Sequence, residues 1–222
     1  MKSVSITVLF GIMSFYTSAQ KIEIKKENFI ASKSIVTITK MGGESVVNVR
    51  YDTTVQGVDN PTFAKVVGSN FNNGIIEVKV LGRIQKNAPT TSRGFIGIAF
   101  RVNDDYSKFE NIYLRPTNGR ADDQIRRNHS TQYFSYPDYK FDRLRKESPE
   151  KYESYADMEI DEWITLRIEV EGTKAKLYVN DAKQPALIVN DLKHGAALSG
   201  SVCLYVGNWT DGYFKDLKIW KK

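Results

Sequence analysis

The chain has 222 residues, 41% hydrophobic and 12% aromatic, which excludes an unfolded polymer and leaves enough apolar chain for a sizeable core without disulfides or metal. Lys and Arg number 32 against 26 acidic residues, a formal net charge of +6; the basic residues are interleaved with acids, so no nucleic-acid footprint is present. An excess this small fits a soluble surface as readily as an anionic partner.

Residues 1–19 read as a signal peptide. Lys2 forms a short positive region, residues 4–15 are mostly apolar, and Thr17, Ser18 and Ala19 are small residues before a cut after Ala19. The apolar run is shorter than the roughly 20 helical residues a bilayer requires. With no cysteine near the cut there is no site for a bacterial lipid anchor. The expected product is exported, free in the periplasm or outside the cell, with no membrane span after leader removal. Cys203 is the one cysteine, which rules out an intrachain disulfide. It sits in an apolar run and reads as a buried, inert thiol. An exported chain without disulfides points to a bacterial envelope.

Residues 34–39 and 45–51 alternate apolar and polar positions on either side of Gly42-Gly43, a hairpin signal. Residues 63–67 read as a further strand. Asn72-Asn73-Gly74 turns the chain into residues 75–81, where Ile76, Val78 and Val80 share one face and Glu77 and Lys79 the other. Residues 95–102 follow, with Gly97 at a position that suits close approach of a ligand or another backbone. In residues 109–115, Ile112 and Leu114 point one way and Asn111, Tyr113 and Arg115 the other. If the first pair enters the core, the second set lines an outer polar face. Pro116 ends the strand.

Residues 116–162 lack clean periodicity. A loop this long inside a compact domain is either functional or holds short elements, such as a strand over 132–135 and a helical turn over 151–155. Clear alternation returns in residues 163–171, with Ile164, Leu166, Ile168 and Val170 inward, and in residues 174–180, with Ala175, Leu177 and Val179 inward. Residues 186–190, 201–207 and 213–220 complete the pattern. Many short strands joined by Gly, Asn and Asp turns, without long helical periodicity, predict one all-β domain over residues 20–222, a sandwich or jelly roll.

The stretch DEWITLRIEVEG (residues 161–172), followed by AKLYVN (175–180), resembles the concanavalin A-like lectin/glucanase superfamily. There a Trp-led strand pairs with a strand ending in YVN or VNG. FNNGIIE (71–77) and GYFKDLKI (212–219) also fit, so the resemblance covers most of residues 63–220. It is nearest to the bacterial branch called the 3-keto-disaccharide hydrolase domain, a name given to glycosyl hydrolase-like exported proteins. The resemblance implies a jelly roll of two antiparallel sheets with a concave glycan-binding face. It leaves catalysis open, because the superfamily holds lectins, glucanases, lyases and spacers.

Four groups of residues are candidates for chemistry. Glu159, Asp161 and Glu162 resemble the acidic signature of superfamily glucanases. Glu162 falls out of the alternation such a site needs, and a polar turn is the competing reading. Asp122 and Asp123 are candidate catalytic carboxylates, since glycosidases use two acids roughly 5–10 Å apart. Adjacent acids on a strand diverge, so one would work with Glu77 or Asp142; pairing with Arg120, Arg126 or Arg127 is the alternative. His129, with Arg126, Arg127, Asn128 and Tyr133, has the types a uronate lyase needs, a cation for the carboxylate and a base for the α-proton. A hydrogen-bonded structural histidine is the alternative. Aromatics in and around the long loop, Tyr113 and Tyr133 among them, offer flat faces for sugar rings or pack the loop onto the sheet.

His194 reads as loop surface. Asn103-Asp104-Asp105 permits calcium without regular ligand spacing, and a hairpin turn explains it as well. No zinc, phosphate-loop or nucleotide signature occurs. The sequence therefore predicts a carbohydrate-active protein that needs no metal or cofactor. Its partner is an oligo- or polysaccharide, bound by Asn111, Tyr113, Arg115, Arg120, Arg126, Arg127 and Tyr133. Hydrolysis rests on Asp122, Asp123 and His129; the alternatives are a lectin-like binding module and a lyase for acidic polysaccharide.

Overall fold

A computed structural model describes residues 18–222. All but the last two residues of the expected leader lie outside that range.

The described chain runs β1 (Gln20–Lys21), β2 (Phe29–Ser32), β3 (Ser34–Met41), β4 (Glu44–Tyr51), β5 (Phe63–Val66), β6 (Gly74–Ile84), β7 (Ile96–Val102) and β8 (Phe109–Leu114). Short helices α1 (Pro116–Gly119) and α2 (Gln124–Asn128) precede β9 (Thr131–Tyr136), and α3 (Phe141–Glu147) precedes β10 (Glu153–Ser154). The chain closes with β11 (Ile164–Glu171), β12 (Lys174–Val179), β13 (Leu187–Val189), β14 (Ser201–Val206) and β15 (Thr210–Lys221). One antiparallel sheet has the order β13-β12-β11-β6-β15-β4-β3, with β1 on β15; the second has the order β10-β9-β8-β7-β14-β5-β2. This is a two-sheet jelly roll, as the alternation predicts. No described helix is long and apolar enough to cross a membrane.

The first sheet follows the period-two rule on both faces. Ile164, Leu166 and Ile168 pair with Val80, Val78 and Ile76, and all six are buried. Each contributes about 1.5–3 kcal/mol by leaving water. The other face is polar; Glu77 there accepts from Lys218 Nζ at 2.9 Å. Ala175, Leu177 and Val179 are also buried, and Gly42 and Gly43 make the predicted β3–β4 turn at φ 56° and 85°.

The central strands of the second sheet, β7, β8 and β14, are buried on both faces. Ile112 and Leu114 pair with Ile98 and Ile96 on the side that faces the first sheet, where Ile96 and Val206 approach Gly212 of β15. Asn111 and Tyr113 face the other way, as expected, but neither is more than 2% exposed, and the 58–59 loop and α3 residues Phe141 and Arg145 stand around Tyr113. A Cβ on Gly97 would lie 2.2 Å from the Ile112 carbonyl oxygen. Its absence lets Tyr113 and Tyr205, which flank Gly97 in register, bring their rings to 5.8 Å.

Two regions differ from the sequence pattern. Residues 116–162 hold three short helices, and the helical turn expected over 151–155 is instead a turn leading into β10, paired with β9. Glu153 there is committed to a buried ion pair with Arg115, which holds the segment against the sheet. The five residues of α2 are too few to show a period. Asp123 caps them, accepting from Arg126 N at 3.1 Å, while Arg126 and Arg127 occupy the last turn, where the helix dipole favours cations.

The largest side chain buried on the core side is Arg101, fully inaccessible at the end of β7 with φ 54°. It donates to three backbone carbonyls, of Asn72, Gly172 and Gly195, at 2.8–2.9 Å and to Asn73 Oδ1 at 3.2 Å. One guanidinium thus ties together three turns at one end of the sandwich.

Candidate functional site

A cavity of about 510 Å³ opens on the outer face of the second sheet. Its floor is aromatic, formed by Tyr113 of β8, Tyr205 of β14 and Phe95 just before β7; the Phe95 and Tyr113 rings meet edge-on at 6.0 Å. Trp209, in the turn between β14 and β15, lines it at φ 59°, a backbone conformation that a bulky side chain rarely adopts. One wall is cationic, with Arg93, Arg115, Arg126 and Arg145 beside His129. Val58 and Ile125 stand exposed at the lining, 42% and 71% accessible, leaving an apolar rim in water.

Arg115 organises the floor. Its Nη1 donates to Glu153 Oε1 at 2.9 Å and to the His129 carbonyl at 3.0 Å; its Nη2 donates to the Tyr113 hydroxyl at 2.9 Å and to Gln132 Oε1 at 2.8 Å. Arg145 donates to both oxygens of the same carboxylate, with Nε to Oε2 at 2.9 Å. Burial alone would raise the Glu153 pKa, but the two arginines together hold it below the usual carboxylate value. His129 Nε2 stands 3.8 Å from Glu153 Oε2. Desolvation, with the nearby charges of Arg145 and Arg115, outweighs Glu153 and lowers the His129 pKa, so its imidazole is neutral at neutral pH.

Asp59 is the other carboxyl at the cavity. It is 5% exposed, and its Oδ2 accepts from Phe141 N at 2.9 Å, while Lys140 Nζ donates to Val58 O at 3.0 Å, pinning the 58–59 loop to the start of α3. Burial pushes the Asp59 pKa from 3.8 up to about 6, against the opposing pull of the Phe141 amide and of Arg115. Because the folded value is raised, Asp59 favours folding most when protonated, and that contribution is lost as pH rises through about 6. Asp59→Asn is therefore expected to be more stable than the parent near pH 7.5 by up to about 3 kcal/mol, with the gap closing below about pH 4. Urea denaturation at the two pH values checks it; a variant less stable at both would contradict the assigned cause.

Of the residues the sequence singled out, Tyr113, Arg115, Arg126 and His129 meet at the cavity. Asn111 shares the Tyr113 face, is fully buried, and both polar atoms of its amide lack a protein partner. Tyr133 lies elsewhere. Its register opposite Ile112 turns it to the core, where its hydroxyl donates to Glu110 Oε2 at 2.6 Å and accepts from Lys193 N at 2.9 Å. Arg120 is tied to Asp157 at 2.9 Å and Glu162 at 3.3 Å on the surface, and Arg127 to the Tyr155 hydroxyl at 2.9 Å. Asp122 and Asp123 are exposed and outside the lining, with Asp123 engaged as a helix cap. Glu77 lies on the far sheet.

His194, expected at the loop surface, is instead half-buried, its amide donating to Glu110 Oε1 at 2.9 Å and its Nε2 lying 2.8 Å from the Tyr136 carbonyl oxygen; the competing readings hold at Asp161, Asn103, Asp105 and Cys203. Asp161 pairs with Arg83 at 2.6 Å in a turn ahead of β11. Asn103 and Asp105 bond within the 103–108 hairpin turn. Cys203 is fully buried, and burial raises its pKa. No cluster of three or more His, Cys, Asp or Glu suited to a metal occurs among the described residues.

Sequence reasoning missed Asp59, Ser92, Arg93, Phe95, Tyr205 and Trp209. They come from separate loops and strand ends that the sheet order brings together, and only an isolated tryptophan in a turn gave any signal.

No protein-family model matches the chain, and no curated protein sequence matches it. Solved structures do match in fold. Carbohydrate-binding module CBM66 from Bacillus subtilis aligns with a TM-score of 0.53 at 13% identity, over 85% of this chain and 96% of that one. A protein of Parabacteroides distasonis provisionally classed as a glycosyl hydrolase aligns with a TM-score of 0.54 at 10% identity, over 93% and 100%. A Bacillus subtilis protein of unknown function with a galectin-like fold gives 0.54 at 9% identity, over 92% and 97%. These neighbours share the two-sheet jelly-roll fold with this chain.

Proposed function

We propose that this is an exported carbohydrate-binding protein whose saccharide sits in the cavity over β7, β8 and β14. The observation that carries the reading is the cavity's composition. The half-buried rings of Phe95 and Trp209, seated over Tyr113 and Tyr205, and the exposed apolar rim suit the C–H faces of a sugar ring, and the guanidinium wall suits its oxygens. Export rests on the leader-like first 19 residues. The carbohydrate-binding module and the provisional glycosyl hydrolase among the structural neighbours agree with a saccharide ligand on this fold.

Binding is favoured over hydrolysis because the carboxylates do not converge as a free pair. Glu153 is consumed by Arg115 and Arg145, while Asp122 and Asp123 lie outside the lining. One observation supports a hydrolytic second reading: burial raises Asp59 to about 6, the range in which a carboxylic acid donates a proton near neutrality.

A glycan panel run on the full chain by calorimetry and by reducing-end release separates the readings. Trp209→Ala is expected to weaken saccharide affinity by about tenfold. Alanine keeps the Cβ that makes a positive φ costly, so the backbone strain is unchanged, and a melting temperature measured alongside separates lost affinity from lost stability. Retention of saccharide without release of reducing ends supports binding. Release that disappears in Asp59→Asn supports hydrolysis. Undiminished affinity in Trp209→Ala would move the site away from this cavity.

A further inference from the structure

The four arginines of the cavity are not equivalent. Arg115 and Arg145 share the Glu153 carboxylate. Arg93 donates through Nη1 to the carbonyls of Thr90 and Ser92 at 2.6 and 2.9 Å, and Arg126 donates to Asn118 Oδ1 at 3.4 Å and the Thr117 carbonyl at 3.1 Å. All these acceptors are neutral, and neither arginine has a carboxylate partner among the described residues. Like charges on one small wall repel, and each costs more as the wall is desolvated. Burial, then Arg126, then Arg115 each lower the Arg93 pKa, which places these charges within range of one another.

A second observation points to the same place. Ser92 is 5% exposed and lines the cavity beside Arg93, yet its Oγ has no hydrogen-bond partner. A buried hydroxyl left in that state costs about 1–3 kcal/mol unless a ligand completes it. The remaining carboxyl at the wall, Asp59, is bonded to the Phe141 amide rather than to either free arginine.

We propose that the cavity holds the oxyanion of an acidic saccharide, clasped between the Arg93 and Arg126 guanidiniums with the Ser92 hydroxyl as a further donor. A guanidinium offers paired N–H groups in a plane, which matches a carboxylate or a sulfate ester. The half-buried rings of Phe95 and Trp209 then meet the ring that carries the group. This inference rests on the saccharide reading and narrows it to acidic sugars.

Calorimetry of the full chain tests it with three ligand arms of equal length: a hexuronate oligosaccharide, a sulfated oligosaccharide and a neutral one. At least one acidic arm is expected to bind ten times tighter than the neutral arm or better, and to weaken as salt is raised. The tighter acidic arm identifies carboxylate or sulfate as the anion. Arg93→Gln and Arg126→Gln should each cost roughly ten- to hundredfold in acidic affinity, with Arg93→Lys intermediate because it keeps charge but not the fork. Ser92→Ala should weaken acidic binding by a few-fold while raising the melting temperature, since it removes an unpartnered hydroxyl. Unchanged melting temperatures in the arginine variants confirm that a lost affinity is local. Acidic and neutral arms bound alike, or acidic binding indifferent to both arginines, would overturn the oxyanion site and leave the saccharide reading standing. If no arm binds, the saccharide reading falls as well.

Discussion

Arg101→Met is expected to lower the unfolding free energy by about 3–5 kcal/mol. The methylene stem of arginine is replaced by a side chain of similar length, so the loss is one of hydrogen bonds and charge rather than volume. The carbonyls of Asn72, Gly172 and Gly195 lose their donor together with Asn73 Oδ1. Glu110, fully buried and held by the Tyr133 hydroxyl and the His194 amide, loses the charge of Arg101. Lysine keeps that charge but carries one ammonium instead of a planar fork, so Arg101→Lys should recover only part of the loss. Urea unfolding with a fixed m-value reads the difference. A change below about 1 kcal/mol would mean the three turns hold without their common donor. Arg101 is absent from the cavity lining, so saccharide affinity measured well below the melting temperature should not move.

Arg101 also shows why part of the structure was readable and part was not. Strands buried on one face, β6 and β11, print their orientation in the alternation of Ile76, Val78 and Val80 against Glu77 and Lys79. β8 printed it through Ile112 and Leu114 against Asn111, Tyr113 and Arg115. β9 did not; Tyr133 and Phe134 are both fully buried. In β9 each face mixes polar and aromatic residues, Thr131, Tyr133 and Ser135 on one and Gln132, Phe134 and Tyr136 on the other, so the pattern favours neither; only the register opposite Ile112 sends Tyr133 to the core. Arg120, Arg126 and Arg127 look alike in sequence. They are separated by partners on other segments: Asp157 and Glu162 neutralise Arg120 and Tyr155 engages Arg127, while Arg126 finds only neutral oxygens. Arg93 and Ser92 sit in an ordinary polar loop. Their significance lies in what faces them, which the sheet topology decides.

Glu153→Gln is expected to cost about 3–5 kcal/mol at neutral pH, because it leaves Arg115, 6% exposed, buried without its anion. Glutamine can still accept one bond, but it cannot satisfy Arg115 and Arg145 together or neutralise either. The pH dependence distinguishes this cause from simple misfit. Glu153 has a lowered pKa in the fold, so its contribution is present above the unfolded carboxylate value and lost as pH falls through the folded one. Asp59 has the opposite sign, with its contribution lost as pH rises through about 6. The parent protein should therefore lose stability on both sides of a maximum. Asp59→Asn should remove part of the fall on the neutral side, and Glu153→Gln part of the fall on the acid side. His129 gives an independent readout, since Glu153 is the nearby group that raises its pKa most. In Glu153→Gln the imidazole should titrate lower still by proton NMR. An unshifted His129 together with an unchanged acid limb would show that this carboxylate does not support the cavity floor electrostatically, and Arg115 would then need another explanation for its place under Tyr113.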